Sequence, residues 1–265
     1  MVSGFNFKSN YGFNDLVKIV ALLRGEGGCP WDAVQTHMTI KKDLIEETYE
    51  VIEAINKDDK TLLCEELGDL MLQAVFHAQI ENEQSNFSIE EVCDGICKKL
   101  IERHPHVFGE VNVSGVEDVL TNWDDIKRQT KNQKTTTQAM QAVPRELPAL
   151  MRSTKIQKKA AKAGFDWDDV SGALDKLEEE IAELRQAIND ADDASSFEEL
   201  GDVLFSAVNV SRFIDVDAEE ALTASTDKFF IRFSIVEQLA QRRNIDMKNT
   251  SLEELDKLWD EAKHC

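Results

Sequence analysis

Carboxylates spaced to share a helix face occur twice in this chain. The first set is Glu46, Glu47 and Glu50, followed by Glu66 and Asp69; the second is Glu179, Glu180 and Glu183, followed by Glu199 and Asp202. Each acidic position of the second set lies 133 residues after its partner in the first. Side chains three or four apart stand one above another on a helix. The 16 positions from Glu50 to Glu66, and again from Glu183 to Glu199, let the helix end, turn and return antiparallel. Four or five carboxyl groups would then converge from two neighbouring helices. At that range they repel and raise one another's pKa values, so the arrangement calls for a divalent cation.

The ligand type points to a hard cation, Mg²⁺ or Mn²⁺, which takes carboxylate oxygens and keeps room for water and phosphate. A ferritin-like di-iron site needs a histidine three residues after a ligand glutamate, and none stands there. An EF-hand places its ligands on one loop. The P-loop pattern Gly-x-x-x-x-Gly-Lys-[Ser/Thr] is absent from the sequence. What remains is a metal site open to phosphate, suited to phosphoryl transfer or hydrolysis. Glu180 sits about 60° from the centre of the Leu177/Leu184 stripe, and Glu47 falls between Leu44 and Val51. Carboxylates at the border of a buried stripe need a partner or a metal to offset desolvation. Gly68 and Gly201, each inside an acidic helix, are read as points of close helix approach.

The elements that must hold these groups are helical. Residues 44–75 align without a gap on 177–208 with 15 identities in 32 positions, so the halves are copies of one unit. Apolar stripes at helical spacing run through Ile40, Leu44, Val51 and Ile55, through Leu177, Ile181, Leu184 and Ile188, and through Leu200 and Leu204. Ser88 with Glu91, and Ser251 with Glu254, have capping-box spacing. The polar stretch Gln129 to Gln141 lacks apolar periodicity and reads as linker. The expected fold is all-α: a helical bundle over 1–128, a linker over 129–147 and a second bundle over 148–265.

With 30 basic and 51 acidic residues the net charge is −21, a field that repels nucleic acid and anionic membrane surfaces. Five cysteines fit no paired framework, and no stretch has the length of a membrane span or a signal-peptide core. A cytoplasmic protein with free thiols is expected. Trp31 and Trp167 are read as core aromatics, and His37, His77, His104, His106 and His264 as forming no constellation.

The two-helix signature is accompanied by Cys29-Pro30-Trp31-Asp32, Arg103-His104-Pro105-His106-Val107-Phe108, Lys155-Ile156-Gln157-Lys158-Lys159 and Gly164-Phe165-Asp166-Trp167. In this combination, across nearly its whole length, the chain resembles MazG, a bacterial nucleoside triphosphate pyrophosphohydrolase family. The resemblance implies an all-α homodimer with tandem domains. It implies Mg²⁺-dependent conversion of nucleoside triphosphates, with several bases and either sugar, to monophosphate and pyrophosphate. It also implies a role in clearing non-standard or excess nucleotides, with an influence on the stringent-response pool. Carried over, the metal ligands are Glu180, Glu183, Glu199 and Asp202, with Glu179 beside them as ligand or water-orienting base. Lys176, Lys228, Arg232 and Trp259 would meet the substrate.

The C-terminal copy is expected to carry turnover. It has Asn209, able to hydrogen-bond substrate, where the first copy has Phe76, and it ends in the helix bearing Trp259. The first copy keeps Glu47, Glu50, Glu66 and Asp69. The rival is a non-catalytic acidic helical adaptor, which would not need the basic pair Lys228 and Arg232 after the acidic hairpin.

Overall fold

The apolar periodicity forms helices wherever it recurs. A computed structural model describes residues 5–116, 118–119, 122–123, 126 and 135–264, and among them every regular element is helical. The chain divides into two compact units, Met1–Lys127 and Arg128–Cys265. The first holds α1 (Phe13–Arg24), α2 (Pro30–Ala33), α3 (Lys41–Asn56), α4 (Lys60–Glu83), α5 (Ile89–Arg103) and α6 (Pro105–Phe108). The second holds α7 (Thr136–Gln141), α8 (Ala149–Lys162), α9 (Val170–Asn189), α10 (Asp193–Phe213), α11 (Ala218–Arg242) and α12 (Leu252–Ala262). Helix α7 corrects the linker reading. Thr135 caps it by accepting from the Gln138 amide at 3.2 Å, and Ala139 is buried, so one apolar contact and a cap suffice where periodicity is missing. Residues 129–134 of that expected linker lie outside the described residues, as do 127, 128 and Cys265.

Each acidic pair is a helical hairpin, α3 against α4 and α9 against α10. The turns match as closely as the carboxylates do. Asp58 and Ala191 both adopt positive φ, 52° and 53°. The next amides, of Asp59 and Asp192, reach back to the Ala54 and Ala187 carbonyls at 3.1 Å, closing the α3 and α9 ends. Asp59 and Asp192 then cap the returning helices, Asp59 Oδ1 accepting from Thr61 and Leu62, Asp192 Oδ1 from Ala194 and Ser195. This sharp reversal sets the register that brings Glu66 and Glu199 beside the carboxylates of the preceding helix.

The apolar cores draw on the two hairpins unequally. In the first unit Val20, Ile40, Val75, Phe76, Ala78, Ile80 and Ile89 cluster where α1, α4 and α5 meet. In the second, Val236, Leu239, Ala240, Leu258 and Ala262 join α11 to α12. Much of the hairpin stripe stays uncovered: Ile55, Ile181, Ile188, Leu200 and Leu204 are all exposed. Trp31 and Trp167 are not core either, at 62% and 46% exposure. Trp31 lies in the four-residue α2 and Trp167 just ahead of α9 with its ring against Gly172, so each is covered only in part. Gly68 and Gly201 do not mark a close approach, since a Cβ at either would meet nothing within 4 Å.

Candidate active site

The α9–α10 hairpin brings ligand oxygens of Glu180, Glu199 and Asp202 within 4.8 Å of one another. The α3–α4 hairpin does the same with Glu47, Glu66 and Asp69. Glu180 is buried on the face of α9 that also buries Ala173 and Ala187, whereas Ile181 and Ile188 of the expected stripe are exposed, so it stands within the buried face and not at its border. Glu183 and Glu50, one turn further along, are outside these triads but act on them. Burial raises the Glu199 carboxyl above its ordinary pKa, and the charges of Glu183, Glu180 and Asp202 add to the rise. Burial raises Glu66 in the same way, helped by Glu50 and Asp69. Glu47 is raised by burial, then by Asp69, Glu50 and Glu66. Three carboxylates crowded this closely are a donor set whose mutual repulsion a hard divalent cation would relieve.

The two sites differ in their counter-charge. Lys176 Nζ lies 2.7 Å from Glu180 Oε1 and 2.9 Å from Glu179 Oε1, and this pairing drives the lysine pKa upward. The matching residue of the first unit is Asp43. Lys228 and Arg232, one turn apart on α11, line an open cavity of about 440 Å³ with Asp227, Ile231, Ile235 and Ala262. Trp259 packs its ring on Phe229 at 5.2 Å between centroids, at the edge of the α11–α12 core. Asn209 has its amide oxygen taken by Arg212 Nη2 at 2.8 Å. Arg212 also forks onto both carboxylate oxygens of Asp166, which holds that carboxyl below its usual range.

Two groupings escaped the sequence reading. A cavity of about 260 Å³ adjoins the triad, lined by Glu183 and Glu199 together with Gln186, Asp190, Asp192 and Ser195. Its signal was the helix-cap pattern inside the 16-residue spacer, which reads as turn chemistry alone. The histidines also correct the expectation of no constellation. His37 Nδ1 meets His77 Nδ1 at 2.7 Å, and His37 Nε2 meets Glu81 Oε1 at 2.5 Å. His77 and Glu81 are one turn apart on α4, but His37 reaches them from 40 residues away, which spacing could not show.

Twin helical hairpins, each converging three carboxylates from antiparallel helices, define an all-α protein with two candidate cation sites. The MazG nucleotide pyrophosphohydrolase domain matches at two places, residues 35–108 and 168–236, and each match contains one hairpin. The chain is 44% identical over 251 residues to the nucleoside triphosphate pyrophosphohydrolase/pyrophosphatase MazG of Thermotoga maritima, covering 95% of both chains. It is 42% identical over 253 residues to the nucleoside triphosphate pyrophosphohydrolase of Escherichia coli K12, covering 94% of this chain and 95% of that one. A Bacillus subtilis protein, YabN, is 46% identical over 252 residues, which is 95% of this chain and 51% of YabN. The chain belongs to the MazG family of nucleotide pyrophosphohydrolases.

Proposed function

We propose that this protein hydrolyses nucleoside triphosphates to the monophosphate and pyrophosphate with Mg²⁺ or Mn²⁺ at its C-terminal triad. The observation that carries the reading is the convergence of Glu180, Glu199 and Asp202 within 4.8 Å in a chain of this family. Carboxylate oxygens suit Mg²⁺, which when bound would offset the triphosphate charge. Lys228 and Arg232 bind phosphate oxygens, the arginine as a two-pronged donor and the lysine as a point charge. Water adds to the α-phosphorus, the bond to the bridging oxygen of the β-phosphate breaks, and pyrophosphate departs. Glu179 orients that water, and Glu183 contributes its charge from the next turn. Asn209 holds Arg212 in place.

The substrates are nucleoside triphosphates of several bases, ribose or deoxyribose, in the cytoplasm. Among the described residues no helix is long and apolar enough to cross a membrane. The uncovered apolar side chains of the hairpins, Ile181, Ile188, Leu200 and Leu204 among them, support a homodimer that buries them. Light scattering should give twice the 30.0 kDa chain mass. The activity is tested by pyrophosphate release from a mixed nucleotide panel with Mg²⁺ or EDTA. Full turnover in EDTA, or release of orthophosphate in place of pyrophosphate, would overturn it.

A further inference from the structure

We infer that Lys176 is a built-in counter-ion that competes with the divalent cation for Glu180, so that metal loading of the C-terminal site is an exchange of cations. This rests on reading Glu180, Glu199 and Asp202 as a metal site. The Glu180 side chain is only 7% exposed, and a charge so placed must be partnered. Its partner comes from one helical turn earlier on the same face of α9. Lys176 Nζ stands 2.7 Å from Glu180 Oε1 and shares Glu179 Oε1 at 2.9 Å. An ammonium ion at that distance lowers the negative charge offered to a metal and repels it directly. Its four-carbon stem is flexible, so the group that leaves Glu180 remains beside the site, free to meet a phosphate oxygen.

Among the described residues of the first unit no cation is paired in this way with Glu47. Its triad has the same three carboxylates, but the position of Lys176 is filled by Asp43, which adds negative charge where the second unit adds positive. The N-terminal triad therefore binds the bare cation more tightly. The C-terminal triad binds it weakly until a triphosphate arrives with its own charge to draw Lys176 away. A site that cycles substrate gains from such loose resting occupancy, because the cation and pyrophosphate can leave together.

Free Mn²⁺ counted by electron paramagnetic resonance, on the nucleotide-free full-length protein, tests this. Two classes of site are expected: a tight one lost in Glu47→Gln/Asp69→Asn, and a weak one lost in Glu180→Gln/Asp202→Asn. Lys176→Gln should tighten the weak class by about tenfold. Lys176→Arg should leave it near wild type, and Asp43→Lys should weaken the tight class. In EDTA, Lys176→Gln should melt earlier than wild type, because Glu180 loses its partner. Unchanged or weaker Mn²⁺ binding by Lys176→Gln, with the weak class still present in wild type, would overturn the exchange alone. Absence from wild type of any Mn²⁺ site sensitive to Glu180→Gln would overturn the metal site itself.

Discussion

The two acidic hairpins share backbone, turn and carboxylate triad, and differ in how the segment entering each is tied down. In the first unit Arg24, on α1, donates through Nη1 to the carbonyls of Asp32 and Gln35 at 2.7 and 3.1 Å, and through Nε and Nη2 to Glu83 near the end of α4. Its guanidinium lies over the Phe76 ring at 5.0 Å. In the second unit the arginine is on the returning helix itself: Arg212 of α10 grips Asp166, just ahead of α9, and Asn209. Both arrangements anchor the chain before the first acidic helix to the second acidic helix. Duplication thus preserved the carboxylate triad and the turn, whose geometry fixes the site. The anchoring was free to change, because any partly buried arginine fork can supply it. The counter-charge changed too, Asp43 against Lys176.

The largest expected contrast is catalytic. Asp202→Ala, or Glu180→Ala/Glu183→Ala, should lower kcat by more than about a thousandfold with helicity retained, because a ligand is lost from the site where charge develops. Glu47→Ala/Glu50→Ala should keep most of the activity, and the opposite ranking would reverse the roles assigned to the two units. Next in size is stabilisation by metal. A cation bound only by the folded chain at 100 times its Kd adds about 2.7 kcal/mol, so millimolar Mg²⁺ should raise the melting temperature and EDTA should reverse the rise. The rise should shrink in Asp69→Asn as well as in Asp202→Asn if both triads bind.

The anchors come third. Arg24→Ala should cost about 3 kcal/mol and Arg212→Ala about 2, since the Arg24 side chain is only 5% exposed and serves more acceptors. Both anchors are acid-sensitive in a defined sense. Arg212 holds the Asp166 carboxyl, and Arg24 the Glu83 carboxyl, below the ordinary range. The stability they add is therefore complete above the unfolded carboxyl pKa of about 4 and is lost as pH falls through the lower folded value. Melting curves from pH 6 down to pH 3 should fall less steeply for Arg212→Ala than for wild type. The smallest contrast lies in the turns: Ala191→Gly should gain about 1 kcal/mol by relieving a left-handed backbone. Asp58→Gly should gain only about a few tenths, because aspartate tolerates that conformation. Equal gains would mean that the turns are not held alike.

Much of the site was legible because its signal is local. The spacing of Glu180, Glu199 and Asp202 is a property of helix pitch plus one turn, and the repeat at 133 residues shows the same pattern twice. The wheel placed Glu180 only at the border of the buried face, because it counted the exposed Ile181 and Ile188 as core and gave no weight to Ala173 and Ala187, which are buried beside it. Glu183, read with equal weight, falls one turn outside the triad, because pitch alone does not say where the returning helix crosses. Trp31 and Trp167 misled because an aromatic side chain states a preference for burial without saying that a partner element will cover it. Gly68 and Gly201 misled because glycine in a helix signals room, and nothing within one chain fills that room.

The sequence by itself determined the all-α class and the carboxylate spacing, which follow from helix pitch and one turn, and the duplication, which a gapless comparison of the two halves shows directly. Only the tertiary structure decided which long-range partners meet. It placed His37 on His77, Arg24 on Glu83 and Arg212 on Asp166, contacts that span 40, 59 and 46 residues. A side chain's reach in sequence is fixed by its helix, but its partner across the chain is chosen by how the helices pack, and packing is a property of the whole unit.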